Sequence, residues 1–339
     1  MASPLPPNSQ PKTRKRGSIG SLIVLLVFIV ATVFGWWNYR FIVDFISYVQ
    51  YHPTEAVTTI VNRDQMTDGG KFLFYASHPS IEDRSAFNQA CERKESGTAI
   101  LGCYSNARIY LYNVTDEKLD GIKEVTAAHE MLHAVYERLS SSEKKKINAL
   151  IDTEYEKLKS NPDYAERMAF YERTEPGERD NELHSIIGTE VLSISSELEA
   201  HYAKYFHDRS KIVGYYDAYN SAFMSLAKQA KDLSSQLDSI NAQIKVASQQ
   251  YNIDVKALNA DIDSFNQRAT SGGFDSQAAF ATKRQALLSR VDSVSAEREA
   301  INTLINNYNT LSTQYNGIVT QSNSLYKSID SSLAPAPKV

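Results

Sequence analysis

Apolar and polar positions divide this chain into three stretches of different rhythm. From Ile19 to Trp37 every residue is apolar or small and none is charged. At 1.5 Å per residue such a run is about as long as a bilayer core of roughly 30 Å, which predicts a transmembrane helix over 18–38. Between 39 and 210 short patterns alternate. Residues 40–50 read as a juxtamembrane helix, His52-Pro53-Thr54 breaks it and can start another, and Asp68-Gly69-Gly70 marks a turn. The spacing predicts a strand over 71–77, a helix over 81–94, and strands at about 98–104 and 107–114. Ile122, Val125, Ala128, Leu132 and Val135 then recur at steps of three and four, a helix over 120–139 that Asp120 can cap. Further helices are predicted at about 143–160, at 163–173 and, after a Glu175-Pro176-Gly177 loop, from Asn181 to about Phe206. Strands come first and helices afterwards, which is an α+β order for 39–210.

Beyond 211 the rhythm becomes regular. Phe223, Leu226, Ala230, Leu233, Leu237, Ile240, Ile244, Ala247 and Tyr251 alternate steps of three and four. A stutter to Val255 precedes Leu258, Ile262 and Phe265. Ser271-Gly272-Gly273 interrupts the pattern. A second run of similar length goes from Val291 through Ile301, Leu311 and Ile318 to Ile329, with Arg298 and Ser322 as its polar lapses. This predicts an antiparallel coiled-coil hairpin over 211–330, turning at about 269–276, each arm on the order of 80 Å long. The close of the chain, 331–339, ends Ala-Pro-Ala-Pro-Lys-Val and reads as a disordered tail.

Composition narrows the function classes. The 339 residues are 42% hydrophobic with a formal charge of -4, which argues against a nucleic-acid partner. Residues 1–17 carry Lys12, Arg14, Lys15 and Arg16 and no acid, while Trp36, Trp37 and Tyr39 close the apolar run. That polarity predicts a cytoplasmic N-terminal tail, one membrane pass ending in an aromatic belt, and everything after residue 40 outside the cytoplasm. A cleaved signal peptide is the alternative. The apolar core is long for that, and it ends in two tryptophans rather than small-x-small, so an uncleaved signal anchor in the cell membrane is the reading kept.

The candidate chemistry lies in the 120–139 helix. His129 and His133 of His129-Glu130-Met131-Leu132-His133 are four apart, so both imidazoles leave one face and can share a tetrahedral zinc ion. Glu130 can reach the remaining coordination position and serve as general base for a water acidified by the metal. A third ligand is needed, and Asn181-Glu182-Leu183-His184-Ser185 opens a helix downstream. Glu182, His184 and Glu190 are the candidates; His184 lies about 200° round the helix from Glu182, so both cannot face one metal.

The pair H-E-x-x-H plus N-E-x-x-S resembles the gluzincins, the thermolysin-like branch of the zincin metallopeptidases. The resemblance covers about 98–206 and implies a zincin-like catalytic domain with one zinc per chain, Glu182 as third ligand, Glu130 as base and a peptide or protein as substrate. It departs from the family at Ile186, where an aspartate belongs that would hold a zinc histidine. Ser185 and Glu190 are the candidates to support the ligands instead. The resemblance also asks for an edge strand to pair with extended substrate, a place that 106–112 fits, and for an oxyanion stabiliser among His201, Tyr202 and Tyr205. Cys91 and Cys103 are candidates for a disulfide in an oxidising compartment. A non-catalytic scaffold, whose hairpin binds envelope or cell-surface partners, is the competing function. The intact Glu130 favours the peptidase.

Overall fold

The computed structural model describes residue 3 and residues 19–91, 100–174 and 176–331. Two helices meet at the N-terminus, α1 (Ile19–Trp37) and α2 (Tyr39–Gln50), followed by α3 (Glu55–Arg63) and α4 (Asp68–Ala76). Then come β1 (Ser80–Glu82), α5 (Arg84–Ala90), β2 (Gly102–Ser105) and β3 (Arg108–Tyr112). The helices α6 (Ile122–Arg138), α7 (Ser141–Leu158), α8 (Pro162–Thr174), α9 (Arg179–Glu190) and α10 (Ser196–Tyr202) complete the body. Two long helices end the described chain, α11 (Ser210–Thr270) and α12 (Gln277–Ile329). The basic tail other than residue 3, the first part of the expected strand near 98, the end of the 81–94 helix and residues 332–339 lie outside the described residues.

The α+β zincin-like domain expected from the sequence is not what forms. Among the described residues there are three strands, only three, four and five residues long, and helices make up most of the rest. They form one small mixed sheet in the order β1-β3-β2, with β1 parallel and β2 antiparallel to β3. The strand expected at 71–77 is the helix α4. Its start is fixed by Thr67, whose hydroxyl accepts from the Gly70 amide, with Asp68 in the first turn where the helix dipole favours an acid. The glycines read as a turn serve a close approach: a Cβ on Gly70 would lie 2.3 Å from the Tyr205 carbonyl oxygen.

The centre of the body is α6. Ala127, Ala128, Met131, Leu132 and Ala134 have no exposed surface, and α9, the sheet, α3, α4 and the start of α11 all pack around this helix. Its alanines let those neighbours come close. Gly121, at φ 93°, occupies the cap position expected of Asp120, whose carboxylate instead takes two bonds from Arg63 at 2.9 and 2.8 Å. The single helix expected from 181 to 206 is two, α9 and α10. Arg209 separates them: its buried guanidinium donates to the carbonyls of Ile187, Gly188, Val191 and Leu192 and so terminates α9.

The helical hairpin forms, with α11 and α12 antiparallel. Phe223 meets Tyr326 near its base, Asp261 pairs with Arg290 farther out, and Phe265, Phe274 and Phe280 cluster at the turn. The base is continuous with the body, because Ile212, Leu226, Leu325 and Ile329 share its apolar core. At the other end, no single helix among the described residues is long and apolar enough to cross a membrane. The Leu22–Trp37 part of α1 and α2 pass that test together, as a pair bent by 72°.

Candidate metal centre

Two helices build the centre. His129 and His133 leave α6 on the side that faces α9, with their ring centroids 4.8 Å apart. Glu182, in the first turn of α9, points back at them and divides its oxygens between the two rings. Oε2 lies 3.6 Å from His129 Nε2 and Oε1 3.5 Å from His133 Nε2. The donor atoms of the three residues all fall within 4.8 Å of one another. Metal bonds of about 2.0–2.2 Å at tetrahedral angles set ligand atoms roughly 3.3–3.6 Å apart, which the two Glu182–histidine distances match. A buried group of two imidazoles and a carboxylate can hold a metal ion. Burial alone would lower the pKa of His129, but the Glu182 carboxylate, with Glu130 and Glu190, outweighs it and holds the pKa above its usual value. The same carboxylate charge would favour a bound metal cation once the imidazole has given up its proton.

His133 is oriented from behind. Its Nδ1–H donates to Asn181 Oδ1 at 3.0 Å, which leaves the Nε2 lone pair free to face Glu182. Asn181 is itself held, donating from Nδ2 to Glu178 at 2.9 Å. The Ser185 hydroxyl lies 3.3 Å from the same Nδ1. Asn181 and Ser185 are four apart on α9, so they flank Glu182 on one face and grip one nitrogen together. Sequence reasoning named Ser185 but not Asn181, although Asn181 opens the motif it relied on. Ile186, where the family pattern has aspartate, is buried in the core.

Glu130 is buried and lines a cleft of about 520 Å³ that also reaches His129 and Glu190. One wall is Ile100, Leu101 and Gly102. A Cβ on Gly102 would fall 2.8 Å from Glu130 Oε1 and 2.5 Å from Thr126 Cγ2, so this position needs glycine for the strand to approach the carboxylate. The adjacent Cys103 is disulfide-bonded to Cys91, Cα atoms 5.9 Å apart, which ties that wall to the end of α5. Substrate pairing was expected along 106–112, but β3 lies in the middle of the sheet, hydrogen-bonded on both sides. Among the described residues, the strand at the cleft is the edge strand β2.

The expected oxyanion residues stand elsewhere. His201 and His184 form a buried pair, Nε2 to Nε2 2.8 Å, and the Tyr202 hydroxyl donates to the His184 carbonyl at 2.8 Å. Tyr205 packs against His201, and burial pushes its phenol up to about 12. None of the three lines the cleft, and His184 is turned away from the metal ligands. Tyr216, Tyr219 and Asn220 do line it, from the second to third turns of α11, together with Glu166 of α8. Sequence reasoning had assigned α11 wholly to the hairpin, and aromatic residues at helical spacing give no sign that they border a cleft.

No protein-family model, curated protein or solved structure matches this chain.

Proposed function

We propose that the chain is a zinc-dependent peptidase, held at a membrane by α1, that hydrolyses peptide bonds outside the cytoplasm. The observation that carries this reading is the convergence of His129, His133 and Glu182 beside an open cleft with Glu130 in its wall. Two imidazoles and one carboxylate are the donor set of hydrolytic zinc sites, with a fourth position left for solvent. A zinc ion so held supplies Lewis acidity, acidifying water and polarising a carbonyl. Glu130 takes a proton from the attacking water and passes it to the departing amine, so the carboxylate ends as it began. The edge of β2 can pair with an extended peptide, and Tyr216 or Tyr219 can donate to the oxygen that gains charge. The ligand pattern resembles the gluzincin motifs, carried here on a different, mainly helical body. The Cys91–Cys103 bond suits an oxidising compartment, and the charge-free α1 suits an anchor. Its hairpin arms then serve to reach or select a protein substrate.

The test uses the full chain in detergent, measuring bound zinc and the cleavage of casein by wild type and Glu130→Gln. Zinc near one per chain, with cleavage in the wild type alone, is the expected result. Equal cleavage by both removes Glu130 as the base. Stoichiometric zinc without cleavage favours a scaffold that keeps a structural metal.

A further inference from the structure

Among the described residues past residue 50, large exposed apolar side chains are few and scattered, among them Leu192, Met224, Val246 and Ile305, with Leu288 and Val291 one turn apart on α12. Such isolated exposure is ordinary. Before residue 50 they are continuous, and they do not stop where α1 ends. On α2 the outward residues Ile42, Phe45, Ile46 and Val49 are 39–57% exposed. Their steps of three, one and three draw a single stripe along the helix. The opposite face is engaged with the body. Arg138 donates to both Asp44 oxygens at 2.8 and 2.7 Å, the Ser47 carbonyl lies 2.9 Å from His78 Nε2, and Tyr48 packs on Phe72 and Tyr75. Arg40, the other charge on α2, pairs with Glu137. The outward stripe therefore carries no charge.

We propose that α2 is a second membrane contact, lying in the boundary between headgroups and acyl chains of the bilayer in which α1 is anchored. The proposal rests on the anchoring role given to α1 above. Three observations select lipid over another protein as the occupant. The stripe is continuous with the apolar surface of α1. The 72° bend lays α2 near the membrane plane when α1 is inserted with ordinary tilt. Trp36, Trp37 and Tyr39 are exposed at the corner, the level at which such rings sit among headgroups. Amphipathic helices of this kind bury their apolar face about 5–10 Å into the boundary.

The contact orients the site. Arg138 lies in the last turn of α6, the helix that carries His129, Glu130 and His133, and the Asp44–Arg138 pair is almost fully buried. With α2 flat on the bilayer, this clamp holds α6 and its cleft at a fixed height. The substrate is then a chain segment close to the membrane surface.

The structure has no free cysteine among the described residues, so a nitroxide can be attached at one introduced cysteine. Full-length protein is reconstituted in vesicles of phosphatidylcholine and phosphatidylglycerol. Labels at Ile42, Phe45, Ile46 and Val49, at Val27 in α1 and at Val246 in the hairpin are compared for collision with oxygen and with a water-soluble nickel complex. The expected result is a nickel collision rate about fivefold or more below that of Val246 at the four stripe positions and at Val27, with oxygen access retained. If Val27 reads as lipid but the stripe reads like Val246, α2 is not at the interface, and the proposal is overturned while the anchor stands. If both read as water, the anchoring itself fails. A stripe shielded from both reagents, with spin–spin broadening between labels, means a second copy covers it and also overturns the proposal.

Discussion

Asn181 does for His133 what the sequence left unassigned. Its Oδ1 fixes the Nδ1–H tautomer and thereby the direction of the Nε2 lone pair, with Ser185 Oγ as a weaker second contact. Groups in this position typically contribute about 10–100-fold to metal affinity. Asn181→Ala should therefore weaken zinc binding by about that factor in competition with a chromophoric chelator, while Asn181→Asp retains it. Unchanged affinity in the alanine variant would show that the bond does not orient the ligand. Behind α9, His201 makes a different contribution. Burial, with Lys204 beside it, pulls its pKa to about 4 from the usual 6.5. Between those values the unfolded chain binds a proton that the folded chain refuses, so this contribution to stability is complete above 6.5 and is lost as pH falls towards 4. Buried His184, lowered by burial and by His201, acts in the same direction. His129, raised chiefly by Glu182, has the opposite sign: its contribution to the metal-free protein is present below 6.5 and lost as pH rises through its raised pKa. Urea unfolding of metal-free protein should show the gap between wild type and His201→Gln narrowing from pH 7 to pH 4. A gap independent of pH would mean His201 is not held neutral.

At the scale of elements, what the sequence disclosed depended on whether the cause was local. The 120–139 helix and both hairpin arms were legible because their apolar steps repeat over many residues. The residues 71–77 were misread as a strand because Phe72, Phe74 and Tyr75 favour strands by composition, whereas a Thr67 cap and packing on Tyr205 decide for helix. The break between α9 and α10 was not legible at all, since its cause, Arg209, lies seventeen residues beyond Leu192. The same distance explains the mistaken α+β expectation: β2 and β3 lie within the strands expected near 98–104 and 107–114, but the strand expected at 71–77 is helical, β1 forms where a helix was expected, and helices close around α6. Arg209 is also bonded to Glu199 at 2.7 Å, so it joins the end of α9 to α10. Arg209→Met would keep much of its bulk but leave several buried carbonyls without donors, a loss of about 2–4 kcal/mol. Because α9 carries Glu182 and Asn181, zinc affinity should fall with stability. A variant with normal urea midpoint and normal zinc affinity would remove the cap from this account.

For the molecule as a whole, the decisive question is where the body ends and the hairpin begins. The change of rhythm in the sequence sets that line near 211, yet Ile212 and Val213 are fully or almost fully buried, and Tyr216, Tyr219 and Asn220 border the cleft. The first turns of α11 are therefore part of the site, braced by the end of α12 through Phe223–Tyr326 and through Leu325 and Ile329 in the core. Farther out the two arms touch mainly each other. Two deletions separate these roles. Ending the chain after Arg209 strips apolar cover from α6 and α9 and should abolish cooperative unfolding and zinc binding together. Replacing residues 240–310 with a short Gly-Ser turn removes the outer arms but leaves the bracing pairs, and should preserve bound zinc and the cleavage of short peptides. If the arms select substrate, the shortened protein loses activity on folded proteins alone. Loss of zinc from the shortened form would instead place the outer hairpin within the body's own stability, although its arms pack mainly on each other.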